Sequence, residues 1–348
     1  MKVAIVDFRF QKGHRTFNGM VVKAVKKLVD DEFIFIDNGE NYRDCEDFYE
    51  HQRLIKNRNI NRISSFKNRF ISYKYMKDQY KIVQKEGCEK IVCLAFDLIT
   101  FGFFGKKYFK KDIYLWHHAE SDELCSGVKR KIFKRYMNKV KHIVHTPFIK
   151  EFLVNFGVDE KRIFVCPWMK TADSEINHNP EKNFFIAPSG SNDEGFCTLL
   201  AEYERKTEFF KNNGINLIIK SSTVDFDNGY LSFYNKYLTA EEYDDIFFKS
   251  SAVVMPFPKS FRMRESGTII DALSQGKALV ASDIPIVRYY SGKSADAGEK
   301  AVKIFTSPEE LGNTLLKCES CSYPNTAKLI SDEHGQGALT KALKEVIK

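Results

Sequence analysis

The chain has 348 residues, more than one core usually organises, so two domains of ordinary size are expected. With 43% hydrophobic and 29% charged residues, 19 Gly and 9 Pro, the composition excludes disordered, collagen-like and low-complexity chains. The net charge of +8 is unevenly divided: residues 1–170 carry 34 Lys and Arg against 21 Asp and Glu, the remainder 20 against 25, so the two halves should meet different partners.

Strand-like and helix-like segments alternate along the sequence. Residues 2–8, KVAIVDF, form a short apolar run with β-branched residues, and residues 17–30 have helical apolar spacing. Strands are then predicted at 32–37, 90–96, 113–118, 142–146 and 162–168, with helices at 67–86, 127–140 and 147–156. The second half repeats the scheme, with strands at 183–189, 215–222, 251–257 and 277–283, and helices near 195–212, 239–249 and 267–275. Short apolar strands separated by helices imply parallel pairing, because a parallel pair needs a long crossover. Two such series imply an α/β protein of two doubly wound Rossmann-like domains facing a cleft. Domains are expected at 1–167 and 168–330, joined through the polar segment near 167–182, with a C-terminal helix in 331–348.

The opening MKVAIVDFRFQKGHR lacks a small-residue cleavage site and is not expected to be a signal peptide. No window approaches the ~18 to 20 apolar residues of a membrane span. The eight cysteines are scattered, several inside apolar runs, as expected of reduced thiols in a cytoplasmic protein. Cys318 and Cys321 form one C-x-x-C without a second pair, and Asp225 and Asp227 sit among turn residues, so neither is read as a metal site.

Two blocks carry the basic charge. Residues 51–85 hold ten Lys and Arg and one acid, Asp78; residues 127–142 hold seven and no acid. Aromatic residues are interleaved with both. A solvated helix face, an anionic membrane surface and nucleic acid are the three readings, the last disfavoured because no nucleic-acid motif accompanies the charge.

The most informative stretch is residues 251–287, SAVVMPFPKSFRMRESGTIIDALSQGKALVASDIPIV. A buried strand ends at Pro256, a loop carries Arg262, Arg264, Glu265 and Ser266, and a helix begins near Gly267. A helix N-terminus offers backbone N–H groups and partial positive charge to a phosphate, Gly267 permits close approach, and Thr268 adds a hydroxyl. The two arginines can fork onto phosphate oxygens, and Asp271, one turn in, can take ribose hydroxyls. The plainer alternative is a polar loop capping an ordinary helix, with Asp271 paired to Lys277 or an arginine.

This stretch resembles the group 1 glycosyltransferases, the large retaining family of the GT-B fold, through Glu265, Gly267, Thr268-Ile269-Ile270, Asp271-Ala272, Gly276 and the following ALVASD. Residues 145–168 and 237–257 resemble that family's segments closing the first domain and leading to the donor loop. The resemblance implies that Glu265 approaches the donor sugar and Asp271 the ribose. Two features depart from the family: five residues separate the acids, fewer than usual, and Asp193 and Glu194 follow Gly190 and Ser191 where a cation is common. Lys220, at the end of INLIIK, or Arg262 and Arg264 are candidates to supply that cation.

His117 and His118 follow a predicted strand, and the resemblance implies that a histidine near here lies by the donor sugar; the sequence leaves open which of the two matches, and a solvated polar loop is the alternative. Glu120, and Gly13 and His14 at the first strand-to-helix turn, are placed on the acceptor side. The expected activity is transfer of a sugar, with retention, from a nucleotide diphosphate donor, UDP or GDP, to a glycan or lipid-linked acceptor in surface polysaccharide assembly. No metal or other cofactor is expected, and the protein is expected in the cytoplasm, at the inner face of an anionic membrane. The alternatives are a nucleotide-sugar epimerase or phosphorylase on the same fold, or a non-catalytic basic protein that binds membrane or nucleic acid.

Overall fold

The computed structural model describes residues 1–10, 14–29, 32–42, 45–58, 65–125, 127–170, 180–236, 238–318 and 322–348. The chain forms two compact units. The first comprises Met1–Met169, Met263–Glu265 and His334–Lys348, and the second Lys170–Arg262 and Ser266–Glu333. Much of the segment predicted as the join, 171–179, lies outside the described residues.

In the first unit, β1 (Val3–Val6), β2 (Phe33–Asp37), β3 (Gln52–Leu54), β4 (Lys90–Cys93), β5 (Asp112–Trp116), β6 (Lys141–Val144) and β7 (Ile163–Val165) form one sheet. Its order is β3-β2-β1-β4-β5-β6-β7, and every pair is parallel. The central strands are buried throughout because helices cover both faces. The helix Pro147–Phe156 shows why its boundaries were legible: Thr146 accepts from the Ile149 amide, Pro147 opens the first turn, and Gly157 at φ 106° closes it.

The second unit holds β8 (Phe184–Ala187), β9 (Asn216–Lys220), β10 (Leu231–Tyr234), β11 (Ala252–Met255), β12 (Ala278–Ser282) and β13 (Val302–Phe305) in the order β10-β9-β8-β11-β12-β13, again all parallel. Each unit is thus a doubly wound α/β sheet, as expected, and β3, β10 and β13 are additions to the predicted strands.

Two predicted helices are shorter than expected. The predicted 127–140 helix ends at Lys134, where Arg135 and Tyr136 bond three residues back and Tyr136 turns into the core. The predicted 195–212 helix breaks into Glu194–Thr207 and Phe209–Asn212 around Glu208, at φ 46°. The buried Glu204 carboxylate accepts from the amides of Phe210 and Lys211, and that contact requires the turn.

The C-terminal helix Gln336–Ile347 docks in the first unit, where Leu339, Leu343, Val346 and Ile347 join the cluster of Val21, Val22 and Val25. Lys90 caps it, its ammonium donating at 2.8 Å to the carbonyls of both Val346 and Ile347. Replacing Lys90 with Met removes those bonds from a buried site and should cost about 1–3 kcal/mol. Hydrogen exchange in residues 336–347 should accelerate before that of β1 or β4; uniform exchange across the first unit would show that the cap does not hold the helix.

Candidate active site

In each sheet the order reverses beside its first strand, at β1/β4 and at β8/β11, and the carboxyl ends of strands at such a reversal are where ligands bind in open α/β sheets.

At the first reversal, Asp7 is fully buried and accepts from the amides of Arg9 and Phe10 and from Asn41 Nδ2. Burial nevertheless raises its carboxyl, against those bonds. Two histidine systems lie along β5 and β6: His117, His118 and His145 follow the strand ends, and His142 lies within β6. His142 Nε2 lies 2.7 Å from the Met137 carbonyl, which can only accept. Its Nδ1 is therefore the acceptor for His117 Nε2 at 2.9 Å, and His117 is walled by Phe96 and Phe133. On the other side, His118 Nε2 donates to the Leu94 carbonyl at 2.8 Å. Its Nδ1 accepts from His145 Nε2 at 3.1 Å, and His145 Nδ1 accepts from Trp116 Nε1 at 3.4 Å. One assignment of protons satisfies each chain only when the rings are neutral, and burial holds all four well below the ordinary histidine value, His142 at about 4 and His145 at about 3.

The pair His117–His118, expected to be catalytic, is thus buried and bonded within the protein. His117 is sealed in the core, and both ring nitrogens of His118 are used within the protein. The His14 ring lies 4.3 Å from that of His118, tilted by 51°, and burial lowers His14 to about 4. Gly13 lies outside the described residues. Glu120 is buried, accepts from the His118 amide at 2.8 Å and faces Arg9 at 3.6 Å. Burial, only partly offset by Arg9, pushes its carboxyl up to about 7. Arg9 gave no signal in the sequence beyond its charge.

The loop residues Met263–Glu265 belong with this unit. Asp122 accepts from the Met263 amide and from Arg264 Nε. Arg264 is thus held by a carboxylate, and Glu265 beside it is buried. Arg262 Nε donates to the Lys259 carbonyl at 2.9 Å.

At the second reversal, three strand ends are bonded together. Asn192 Nδ2 donates to the carbonyls of Ala187 and Lys220, and the Asp193 amide to that of Pro256. Gly190 is exposed on this loop, and a methyl group built on it would lie 4.0 Å from Lys220 Nζ, so the ammonium stands over the loop that Ser191 completes. Asp193 caps the helix Glu194–Thr207, while Glu194 accepts from the hydroxyls of Ser221, Ser222 and Thr223. Burial opposes ionisation of Glu194, but those bonds outweigh it and hold the carboxyl at about 2.

The helix Gly267–Ser274 begins where predicted, and its N-cap Ser266 places no side-chain bond on the first amides. Gly276, at φ 67°, lets the chain turn back into β12. Asp271 is half-buried, and its charge lies close enough to Tyr243 to raise that hydroxyl further above its ordinary value after burial, while a bond with Thr268 works against the rise. Tyr234 ends β10 nearby, its hydroxyl pushed up to about 12 by burial. Neither tyrosine was anticipated. Tyr234 ends an edge strand that the sequence did not reveal, and Tyr243 lies in the helix Ala240–Lys249, which was expected without a role for that side chain.

No protein-family model matches the sequence, and no curated protein matches it. Solved structures do. Sucrose-phosphate synthase from Thermosynechococcus elongatus aligns over 99% of this chain and 98% of its own, with a TM-score of 0.67 at 11% identity. HepE of Anabaena, solved with UDP and glucose, aligns over 100% and 99%, with a TM-score of 0.61 at 13% identity. The chain has the GT-B fold. UDP-N-acetylglucosamine 2-epimerase from Rickettsia bellii shares it, with a TM-score of 0.62 at 11% identity over 100% and 96%.

Glu120 carries a pH signature. Its folded value of about 7 lies above that of an unfolded glutamate, so between about pH 4.5 and 7 the folded state holds the extra proton and stability falls as pH rises. Glu120→Gln keeps an acceptor for the His118 amide and removes this loss. Urea unfolding should show the variant gaining on the wild type from pH 5 to pH 8 by on the order of 2–3 kcal/mol. A difference independent of pH would mean that Glu120 does not hold a proton in the folded protein. The buried histidines act oppositely, contributing stability above about pH 6.5 that is lost as pH falls.

Proposed function

We propose that this protein is a glycosyltransferase that moves a sugar from a nucleoside diphosphate donor, UDP or GDP, to a glycan or lipid-linked acceptor, with retention of configuration. The second unit takes the donor and the first the acceptor. The reading is supported by three features of the second unit: the N-terminus of the helix Gly267–Ser274 that follows β11, Lys220 at the end of β9 beside Gly190, and the Asp271 carboxylate one helical turn in. The Gly267 and Thr268 amides and the helix dipole suit the diphosphate, and Lys220 supplies a cation beside Gly190 and Ser191. Asp271 accepts from ribose hydroxyls. As the donor bond breaks, these fixed charges stabilise negative charge building on the leaving diphosphate, with no need for a bound metal. Glu265, at the end of the same loop, acts at the sugar. Arg262 and Arg264 were expected at the phosphates. Arg264 is paired with Asp122 and Arg262 bonds the Lys259 carbonyl through Nε, and Lys220 adds a third cation. In the first unit, Arg9, His14 and Glu120 form the polar group that receives the acceptor, with His118 as its support.

The fold neighbours favour one second reading, epimerisation of a nucleotide sugar, because the 2-epimerase matches this chain about as well as the transferases do. Mass analysis of products separates them: an epimerase isomerises the nucleotide sugar without an acceptor, whereas a transferase releases nucleoside diphosphate in step with glycosylated acceptor.

Three substitutions divide the donor site. Charge-assisted hydrogen bonds contribute about 1.5–3 kcal/mol, roughly tenfold to a hundredfold in affinity. In calorimetric titration, Asp271→Asn should lose that much for UDP or GDP and for the free nucleoside alike. Lys220→Ala should lose it for the diphosphates and spare the nucleoside. Glu265→Gln should leave diphosphate affinity nearly unchanged and lower turnover. Full nucleotide affinity in a folded Asp271→Asn variant would overturn the donor-site assignment.

A further inference from the structure

The first unit carries an exposed face that the donor and acceptor sites do not use. On the helix Ser65–Lys85 the exposed positions recur at helical spacing, with Phe66, Phe70, Lys74, Lys77 and Lys81 along one face. Phe66 is 80% exposed and Phe70 51%, although this helix buries Tyr75 and Met76 on its other side. The neighbouring helix Leu98–Phe104 ends in Phe103 and Phe104, 55% and 48% exposed. The rings join across the two helices: Phe70 lies 6.4 Å from Tyr73, Tyr73 4.3 Å from Phe104, and Phe104 6.4 Å from Phe103.

This aromatic strip is set in positive charge. Residues 65–111 hold eleven Lys and Arg against four Asp and Glu. Three of those acids are already engaged: Asp78 with Arg58, Asp97 with Arg69 at 3.7 Å, and Glu86 with Arg53 and Lys2. Lys74 sits 4.5 Å over the Phe70 ring, and Lys106, Lys107 and Lys110 continue the charge beyond Phe104.

Phenylalanines with no polar tip do not remain four together on a water-facing surface without use. Apolar rings on helix ridges, rimmed by lysine, suit insertion at the boundary of headgroups and acyl chains. Nucleic acid would use the lysines, but its phosphates offer nothing to Phe rings standing out from the ridge. We propose that the face formed by Phe66, Phe70, Phe103 and Phe104 with its surrounding lysines docks on an anionic lipid bilayer. Nothing in this depends on the sugar-transfer reading. It narrows the three readings of the basic segments to one, and places contact on 65–110 in preference to 127–142.

The test uses the full chain and vesicles of phosphatidylcholine, with and without about 30% phosphatidylglycerol, at an ionic strength of about 0.1 M, where the Debye length is about 10 Å. The protein should float with the anionic vesicles and dissociate as salt approaches about 1 M, where that length is about 3 Å. Replacing Phe66, Phe70, Phe103 and Phe104 with Ser should lower partitioning at least tenfold without lowering the Tm, since all four are exposed. Lys74→Glu with Lys106→Glu should weaken it comparably, because each lysine near an anionic surface contributes roughly fivefold. Duplex DNA of equal phosphate concentration is the control. Equal binding to neutral vesicles, no binding to either vesicle, or full retention by the serine variant would overturn the proposal. DNA binding that matches vesicle binding and is untouched by the serine variant would overturn it in favour of generic polyanion attraction.

Discussion

A parallel strand cannot be joined to its neighbour by a tight turn. The chain must cross over the face of the sheet and re-enter from the same end. Every strand pair in both units obeys this constraint, and much else in the molecule follows from it. Crossover helices cover both faces, so central strands such as Val3–Val6 and Ala252–Met255 are apolar at every position. All loops that follow strands gather at one edge, where the reversal of strand order parts neighbouring crossovers. The polar residues expected to do chemistry sit at those edges because no other place in a doubly wound sheet admits them without burying unpaired groups.

The first unit shows the cost of such an edge. The ends of β1, β4, β5 and β6 bring Asp7, His117, His118 and His145 into a region almost without water, and each must find a partner inside the protein. Asp7 does so with backbone amides and Asn41, and the histidines do so with one another and with carbonyls. Neutral imidazole suits this use because one nitrogen donates and the other accepts, so rings can be linked in series without a net charge. The same bonding that makes these rings good struts withdraws them from proton transfer. Arg9, His14 and Glu120 adjoin these rings, with Glu120 as deeply buried as the histidines and facing the Arg9 guanidinium.

Most of the fold was legible in the sequence because the central strands announce themselves as uninterrupted apolar runs. The strands that escaped, Gln52–Leu54, Leu231–Tyr234 and Val302–Phe305, are all edges. An edge strand is covered less and carries polar residues, so its pattern merges with that of a loop. The helix start at Gly267 was legible from composition and spacing, as were the cap and closing glycine of Pro147–Phe156. The choice between His117 and His118 was not, since adjacent residues on a strand end differ only in which face they meet. Nor was the pairing of Arg264 with Asp122, which joins residues far apart in sequence and therefore leaves no local trace.

The two acids at 193 and 194 depart from the expected cation on the second unit's loop, and their bonding and the sheet register show where the charges lie. Asp193 is spent on its helix cap, and Glu194 is turned into a hydroxyl cage of Ser221, Ser222 and Thr223, so its charge is directed at donors. Meanwhile β8 pairs with β9 such that Ala187 lies opposite Ile219. The next residue on β9 is Lys220, which therefore comes level with Pro188, where the loop begins. Neighbouring strands lie about 4.8 Å apart, well within the reach of a lysine side chain. A cation moved from the loop itself to the end of the adjacent strand can thus reach the same space over Gly190.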